Sequence, residues 1–263
     1  MLLSREIENN LLRIQETINK HYPNQVEIDY EKYLEQTGVF SLFNQNQGAM
    51  SIIFDIKRCK IVNISKNITT FAGYNRKEFG ENLTLSLISL LTPEHISLIS
   101  VFATWIQKVL KHLPKTFRVE HFLNCWGVKL YHKSGETMKC HLSVLPLESD
   151  TEGKPLLFFI SIQNITHLMK GDDYWIRGVF GKDEKKIFVY HSNEDKTVEQ
   201  EILSEREKEV LKYIIQGLNT KQIAEILDIS PNTVDNHRRN MLARTGTRDT
   251  TALIHLCKMM AIV

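Results

Sequence analysis

The spacing of apolar residues changes character twice along the chain. Near the start, Ile7, Leu11, Ile14 and Ile18 recur every three or four residues, which predicts one seam of an amphipathic helix that ends before Pro23. This seam either packs on its own domain or forms a short dimer coil, and the pattern leaves both alternatives open. From about residue 49 the pattern is that of strands, and from about residue 201 it is helical.

Alternating and β-branched runs predict an antiparallel sheet in the middle of the chain. The first hairpin is AMSIIFDI and KIVNIS around KRC, and the second is WGVKLYHKSGETMKCHLSVLPL around Ser134-Gly135. The run KPLLFFISIQNIT predicts a further, buried strand. Between the hairpins, short helical segments are punctuated by glycine and proline, the longest at 94–112. This order predicts an α+β domain with helices over one face of the sheet.

The C-terminal helices have defined start residues. LSEREKEVLKYIIQG opens with a predicted capping box of Ser204 and Glu207, and TKQIAEIL follows with Thr220 as its predicted N-cap. After a three-residue turn, Ser230 and Pro231 supply the N-cap and first position of a third helix. A helix, a tight turn and a second helix with a fixed start predict a helix-turn-helix.

The third helix has an apolar and a polar face. At about 100° per residue, His237, Arg238, Met241 and Thr245 lie on the side of Val234. The other side holds Asn232, Asp235, Asn236, Arg239 and Ala243. Four arginines (Arg238, Arg239, Arg244, Arg248) stand between Asp235 and Asp249 without an acid, so we expect a locally basic surface. Arginine pairs with guanine and asparagine with adenine, so this face suits double-stranded DNA.

Composition sets only broad limits. The 33 Lys+Arg and 31 Asp+Glu nearly cancel, so any basic surface must be local. Four separated cysteines (Cys59, Cys125, Cys140, Cys257) without a C-x-x-C pair are expected to be reduced thiols. The most apolar run, LLFFISI, is far shorter than the ~20 residues that span a bilayer. We therefore expect a cytoplasmic protein with no membrane partner.

The segment LSEREKEVLKYIIQGLNTKQIAEILDISPNTVDNHRRNMLARTGTRDTTALIHL closely resembles the LuxR-type (GerE-type) helix-turn-helix domain. The resemblance implies that base-facing positions fall on Asp235, Asn236 and Arg239. It places phosphate-contacting positions on Thr220, Lys221, Thr233 and Arg248. Two residues depart from the family's pattern: Asp228 stands where glycine is usual in the turn, and Asp235 where many members carry a cation. An acid there can accept from cytosine N4, so the recognised sequence should differ from that of cation-bearing members.

The last predicted helix, DTTALIHLCKMM, bears on assembly. Asp249 is its expected N-cap, and Ala252, Leu253, Leu256 and Met260 form one stripe. This stripe either completes the domain's own core or, as the LuxR resemblance implies, pairs two domains about a two-fold axis. We expect a homodimer that binds an imperfect inverted repeat.

The middle of the chain resembles a PAS domain. The resemblance rests on FAGYNRKEF (71–79), HKSGET (132–137) and QNIT (163–166), in order within about residues 38–170. It implies a module that senses a small ligand or partner, or one that only dimerises. We predict three parts: a PAS-like domain at 1–190 with an extra hairpin at 174–190, a linker at 191–200, and a DNA-binding domain at 201–263 that folds on its own.

Other chemistries find little support. The stretch NITTFAGY lacks the reactive cysteine of flavin-binding light sensors, and a single helical histidine, His95 or His112, is a weak haem ligand. The group His121, Cys125, His132, Cys140 and His141 fits no standard zinc spacing, because alternation puts Cys140 and His141 on opposite faces. No phosphoacceptor, triad or paired-carboxylate pattern is present. We expect no metal, no cofactor and no enzyme activity.

The sequence thus predicts a one-component transcription regulator that binds DNA through its C-terminal domain and senses a signal through its PAS-like domain. In the alternative, the front half is a purely structural dimerisation module. An enzyme with a helical appendix would require a catalytic constellation that the sequence does not offer. The identity of a ligand does not follow from the residues.

Overall fold

A computed structural model describes residues 48–79, 83–96, 98, 101, 104–105, 109, 123–149, 155–181 and 185–263. The strands are β1 Ala49–Asp55, β2 Lys60–Ile64, β3 Leu123–Tyr131, β4 Thr137–Ser149, β5 Pro155–Asn164, β6 Trp175–Phe180, β7 Lys186–His191 and β8 Lys196–Val198. Helix α1 (Ile68–Ala72), a 3₁₀ turn (Arg76–Phe79) and helix α2 (Leu83–Ile88) lie between β2 and β3. Four helices follow β8: α3 Glu205–Ile215, α4 Thr220–Leu227, α5 Pro231–Thr245 and α6 Thr250–Met259.

The predicted helices of the front half are only partly covered. Every described residue between 94 and 112 is helical, which agrees with the long helix expected there. The predicted seam from Ile7 to Ile18 lies outside the described residues. Within the described part of the chain, no helix combines the length and the apolarity needed to cross a membrane.

All eight strands form one sheet, in the order β2-β1-β5-β4-β3-β6-β7-β8. Every neighbouring pair is antiparallel, so the predicted antiparallel sheet and α+β class are confirmed. The predicted turn between β3 and β4 is also present: Gly135 has φ +90°, a conformation that glycine adopts without strain. Strands β1 to β5 are neighbours in the sheet. The helical segments lie between β2 and β3 in the chain, which is the predicted order.

The extra aromatic hairpin does not stand apart from this sheet. Strand β6 pairs with β3, with Trp126 opposite Trp175, and β7 and β8 continue the sheet outward. The segment predicted as a linker, 191–200, contains His191 at the end of β7 and all three residues of β8. A short edge strand is held by backbone hydrogen bonds to one neighbour. It therefore needs little alternation of apolar and polar residues, and the sequence pattern does not reveal it.

One face of the sheet is covered by the helices of the front half. One hydrophobic cluster joins β1 and β4 to α1 and α2, and it contains Met50, Ile52, Cys140, Ile68 and Leu87. A second cluster on the same layer contains Leu123, Val144, Ile176 and Phe180 with Trp105 from the helical stretch. Gly178 of β6 allows this close approach, because a Cβ there would lie 2.7 Å from the Trp105 ring.

The other face of the sheet packs against the C-terminal helices. Trp126, Trp175 and Val189 are buried in one cluster with residues of all four helices, among them Val210, Ala224, Val234, Met241 and Leu253. The Trp126 and Trp175 rings stack with centroids 6.0 Å apart, and Trp175 Nε1 donates to the Thr245 carbonyl at 3.4 Å. The two predicted halves therefore share a hydrophobic core, and their independence as folding units stays a prediction.

A buried ion pair crosses the same junction. Arg177 of β6 donates to both carboxylate oxygens of Glu201, Nε to Oε1 at 2.8 Å and Nη2 to Oε2 at 2.5 Å. Their side chains are only 5% and 8% exposed. Arg177 Nη1 also donates to the Met260 carbonyl at 3.4 Å, so one guanidinium holds both the start and the end of the C-terminal unit.

Candidate nucleic-acid interface

Helix α3 begins as predicted and is fixed to the end of α5. Ser204 and Glu207 form the capping box: the Ser204 hydroxyl accepts from the Glu207 N–H at 3.3 Å, and the Ser204 N–H donates to Glu207 Oε2 at 2.9 Å. Arg244 Nη1 donates to the same Oε2 at 2.5 Å and to the Ile202 carbonyl at 3.1 Å. The arginine therefore ties the far end of α5 to the first turn of α3.

The cap of α4 differs from the prediction by one residue. Asn219, and not Thr220, is the N-cap, and its side-chain oxygen accepts from the backbone N–H groups of Lys221 and Gln222 at 3.0 and 3.1 Å. Asparagine and threonine are both good N-caps, so the sequence did not distinguish these neighbours. The Thr220 hydroxyl is consequently available to donate to Asp235 Oδ1 of α5 at 3.1 Å.

The turn between α4 and α5 confirms the helix-turn-helix. Asp228 adopts the left-handed conformation, φ 52° and ψ 48°, that the family's usual glycine would adopt. Ser230 caps α5 by accepting from the Thr233 N–H at 3.1 Å, and Pro231 occupies the first turn. The Arg206 guanidinium donates to the Leu227 carbonyl at 2.8 Å, which satisfies an acceptor at the end of α4.

Helix α5 has the two faces that its periodicity predicts. Val234, Met241 and Thr245 are buried in the common core. The opposite side is exposed and consists of Asn232, Asp235, Asn236, Arg239, Asn240 and Ala243. Because an apolar seam fixes the rotation of the helix, the polar face is held outward as a rigid surface.

The three predicted base-facing residues lie together on this exposed face. Arg239 Nη2 donates to Asn236 Oδ1, so these two side chains already contact each other in the free protein. Asp235 accepts from Thr220, which brings a predicted base-facing residue against a predicted phosphate-contacting one. Nothing in these contacts tests the roles themselves, which stay predictions.

The other predicted phosphate contacts surround this face. Lys221 is exposed on the first turn of α4, and the half-buried Thr233 shares a 2.8 Å hydroxyl contact with Ser230. Arg248 is 57% exposed in its side chain and pairs with Asp249 at 3.0 Å. The pKa of Asp249 is lowered, chiefly by the hydrogen bond it accepts from the Ala252 N–H as N-cap of α6. Because this pair is solvent-exposed and weak, Arg248 can exchange its partner for a phosphate.

The basic surface is smaller than the four arginines predicted. Arg244 is committed to Glu207, and Arg238 is half-buried with its Nε buried and without a partner among the described residues. Arg244 is still 40% exposed despite this pair, and Arg239 and Arg248 are exposed as well. Counting charges along a sequence misses the arginines that tertiary contacts use for structure.

The apolar stripe of α6 is used within the chain. Asp249 caps the helix as predicted, and Ala252, Leu253, Leu256, Cys257 and Met260 are all less than 5% exposed. Burial accounts for the raised pKa of Cys257, about 12. Of the two predicted uses of this stripe, the structure describes the completion of the chain's own core.

Sequence reasoning missed a contact between the front half and the loop that follows α5. Met169 forms an antiparallel bridge with Thr247, flanked by hydrogen bonds from the Lys170 N–H to the Gly246 carbonyl and from the Arg248 N–H to the Leu168 carbonyl, each 2.9 Å. These residues are nearly eighty positions apart, and no local pattern relates them. The backbone of Arg248 is thus held by the front half as well as by its place between α5 and α6.

The candidate ligand and metal residues are placed as follows. Cys140 lies in the helix-covered core, whereas His141 contacts Trp126 on the other face with ring centroids 5.6 Å apart, as alternation predicts. In the described residues, no three His, Cys, Asp or Glu side chains come close enough to hold a metal ion. His95 is 3% exposed and contacts Thr92 through Nδ1 at 3.1 Å. His121 and His112 lie outside the described residues.

A pocket of about 180 Å³ lies where the sheet meets the end of α5. Its walls include Tyr174, His191 and Glu194 from the sheet side and Arg244 and Thr245 from α5. The pKa of His191 is lowered, mainly by burial. A bound molecule here would contact both the sheet and the helix that carries the polar face.

Comparison with known proteins places the C-terminal helices in a family. Residues 201–257 match the family described as "Bacterial regulatory proteins, luxR family". The transcriptional regulatory protein FixJ of Rhizobium meliloti is 47% identical over 57 residues, which are 22% of this chain and 26% of that protein. The nitrate/nitrite response regulator protein NarP of Escherichia coli is 47% identical over 51 residues, 19% of this chain and 24% of that protein. The match thus spans about a quarter of these relatives, and residues 201–257 are a luxR-type domain.

Two solved structures align over most of the chain at low similarity. The phage VqmA–DPO complex has a TM-score of 0.34 and 14% identity, with 88% of each chain covered. A Vibrio cholerae VqmA dimer without target DNA has a TM-score of 0.33 and 16% identity, with 86% of this chain and 88% of that chain covered. Scores of this size are too low to establish a common fold for the front half.

Proposed function

We propose that this chain is a transcriptional regulator that binds double-stranded DNA sequence-specifically through its luxR-type domain. The observation that carries the proposal is the exposed face of α5, where Asp235, Asn236 and Arg239 stand opposite the buried Val234 and Met241. A helix of this width fits the major groove, where base edges offer distinct donors and acceptors. Such a protein acts where the chromosome is, so we place it in the cytoplasm.

The side chains on α5 have complementary base preferences. Arg239 can donate two hydrogen bonds to guanine O6 and N7, Asn236 can pair with adenine, and Asp235 can accept from cytosine N4. Arg239 Nη2 donates to Asn236 Oδ1, and in this proposal the contact limits the freedom of both side chains before DNA binds. The Thr220 hydroxyl does the same for Asp235, which lowers the conformational cost of binding.

The phosphate contacts would set the register of α5 in the groove. Lys221 and Thr220 lie at the start of α4, Thr233 lies on the first turn of α5, and Arg248 follows its end. Phosphate contacts supply affinity without reading sequence, and they make that affinity depend on salt.

The test compares Arg239→Ala with Lys221→Ala on a duplex selected from a random library by the full-length protein. Arg239→Ala should lower affinity for the selected duplex by about 1–3 kcal/mol and relax preference at one base pair, whereas Lys221→Ala should weaken selected and mixed-sequence duplexes alike. Equal losses on both duplexes for Arg239→Ala would remove Arg239 from the base-reading set. Failure of the library to yield any enriched sequence would contradict sequence-specific binding.

The front half serves, in this proposal, as a PAS-like module that senses a small ligand or a partner. Its support is the strand order with helices over one face and the pocket of about 180 Å³ beside Thr245, the last residue of α5. In the alternative, the front half is purely structural and promotes dimerisation. A native mass spectrum of the purified full chain distinguishes them, because a retained small molecule supports sensing, whereas an empty protein that is dimeric at every concentration supports the alternative.

We also propose that a homodimer binds an imperfect inverted repeat. Two copies of α5 related by a two-fold axis would enter successive major grooves ~34 Å apart. Since the apolar stripe of α6 is buried in each chain, the dimer contact must use other surfaces, such as the exposed side of α6 with Thr251, His255 and Lys258. Footprinting that shows a single half-site, together with a monomer by light scattering, would reject the dimer.

A further inference from the structure

The connection between β5 and β6 reaches the edge of the proposed DNA-binding surface. Residues 168–170 run antiparallel to residues 246–248, with Met169 opposite Thr247. The Lys170 N–H donates to the Gly246 carbonyl and the Arg248 N–H donates to the Leu168 carbonyl, both at 2.9 Å. This isolated β-bridge joins the front half to the loop that carries a predicted phosphate contact.

The bridge brings the backbone of Lys170 against Gly246, two residues before Arg248. Met169 and Thr247 are 7% and 2% exposed, whereas the Lys170 and Arg248 side chains are both exposed.

The charges around Lys170 leave its ammonium available. In the described part of the chain, no carboxylate lies within ion-pair distance of Lys170. Asp172 is engaged by Lys129 at 3.5 Å and Lys139 at 2.9 Å, and Asp249 is engaged by Arg248. Of the nearby acids, the exposed Asp173 remains, and its backbone is held against Gly127 of β3. The neighbouring His167 is also exposed and adds no negative charge.

We propose that Lys170 contacts the DNA backbone beside Arg248, so that the sheet-bearing half contributes directly to DNA affinity. This inference rests on the proposed function, because it takes the Arg248 loop to lie against a phosphate. Lys170 is a single flexible cation on a fixed backbone, which suits a phosphate contact and not base reading. The sheet and the luxR-type domain then form one continuous surface for the duplex.

The experiment measures affinity of the full-length protein for the selected duplex and for a mixed-sequence duplex by fluorescence anisotropy between 50 and 300 mM KCl. Each phosphate contact contributes about 0.9 to the slope of log K against log salt. Lys170→Gln should lower the magnitude of that slope by about 0.9 and weaken binding about eightfold at 0.1 M salt, if the contact vanishes near 1 M. The loss should be equal on both duplexes.

Three further variants make the result decisive. Lys60→Gln removes a likewise exposed lysine from β2, the edge strand farthest from β8. This control should leave the slope unchanged. Lys170→Arg keeps the charge and should keep the slope. If Lys221→Gln lowers the slope but Lys170→Gln does not, this inference is wrong while the proposed function stands. If neither changes the slope, the proposed DNA surface itself is wrong.

Discussion

Removing the carboxylate of Glu201 is the sharpest test of how the chain holds together. Glu201 precedes α3 and accepts two hydrogen bonds from Arg177 of β6, at 2.8 and 2.5 Å. Its Oε1 also accepts from the Ile202 N–H at 2.8 Å. Glu201→Ala would leave the guanidinium of Arg177, 5% exposed, with only the 3.4 Å contact to the Met260 carbonyl.

The expected loss of stability arises because a buried charge is left without a partner, and not because an attraction is lost. Breaking a buried ion pair by removing one partner destabilises proteins by about 3–5 kcal/mol, because the remaining charge is neither hydrated nor compensated. The free energy of unfolding of an ordinary domain is about 5–15 kcal/mol, so this single change would remove a large part of the stability. In contrast, the double variant Arg177→Met with Glu201→Leu removes both charges and should recover most of the loss.

The assay is urea unfolding of the full chain, followed by tryptophan fluorescence and far-ultraviolet circular dichroism. Trp126 and Trp175 lie in the shared core, so their fluorescence reports on the junction, while the dichroism reports on all helices. The exposed pair Lys186–Glu199, at 3.4 Å with side chains 33% and 53% exposed, supplies the control. Glu199→Ala should cost less than about 1 kcal/mol. The reasoning would be refuted if Glu201→Ala cost no more than Glu199→Ala.

Two other predictions concern acid stability and the division of the chain. Burial lowers the pKa of His141 to about 4 from its ordinary value near 6.5, so the unfolded chain binds the extra proton first as pH falls. The free energy of unfolding should therefore decrease as the pH falls below about 6.5, by about 2 kcal/mol at pH 5. In urea titrations, His141→Gln should make the free energy of unfolding depend less on pH. An equal decrease in the variant and in the unsubstituted protein would contradict this prediction. The isolated fragment 201–263 should remain helical by circular dichroism but melt below the full chain, because Trp126, Trp175 and Val189 no longer cover its core; an unchanged midpoint would show that the junction adds nothing.

Much of the front half followed from local patterns. β-Branched runs and a Ser-Gly turn identified β1 to β5, since alternation and turn chemistry act within a few residues. The same patterns could not show that β6 pairs with β3, or that β8 is a strand, because pairing between distant segments depends on the whole sheet. Nor could they show that Trp126 and Trp175 would be covered by the C-terminal helices.

The proposed DNA-binding site was determined mostly by sequence. The caps at Ser204, Ser230 and Asp249, the left-handed Asp228 and the two faces of α5 all depend on neighbours within one helical turn, which is why they could be read directly. The tertiary structure alone decided which arginines remain available. Arg244 and Arg239 are both exposed, yet Arg244 pairs with the buried Glu207 whereas Arg239 contacts Asn236 on the polar face. It alone also brought the backbone of Lys170 against Gly246 and buried the α6 stripe within the chain, because these contacts join residues whose separation along the sequence carries no periodic information.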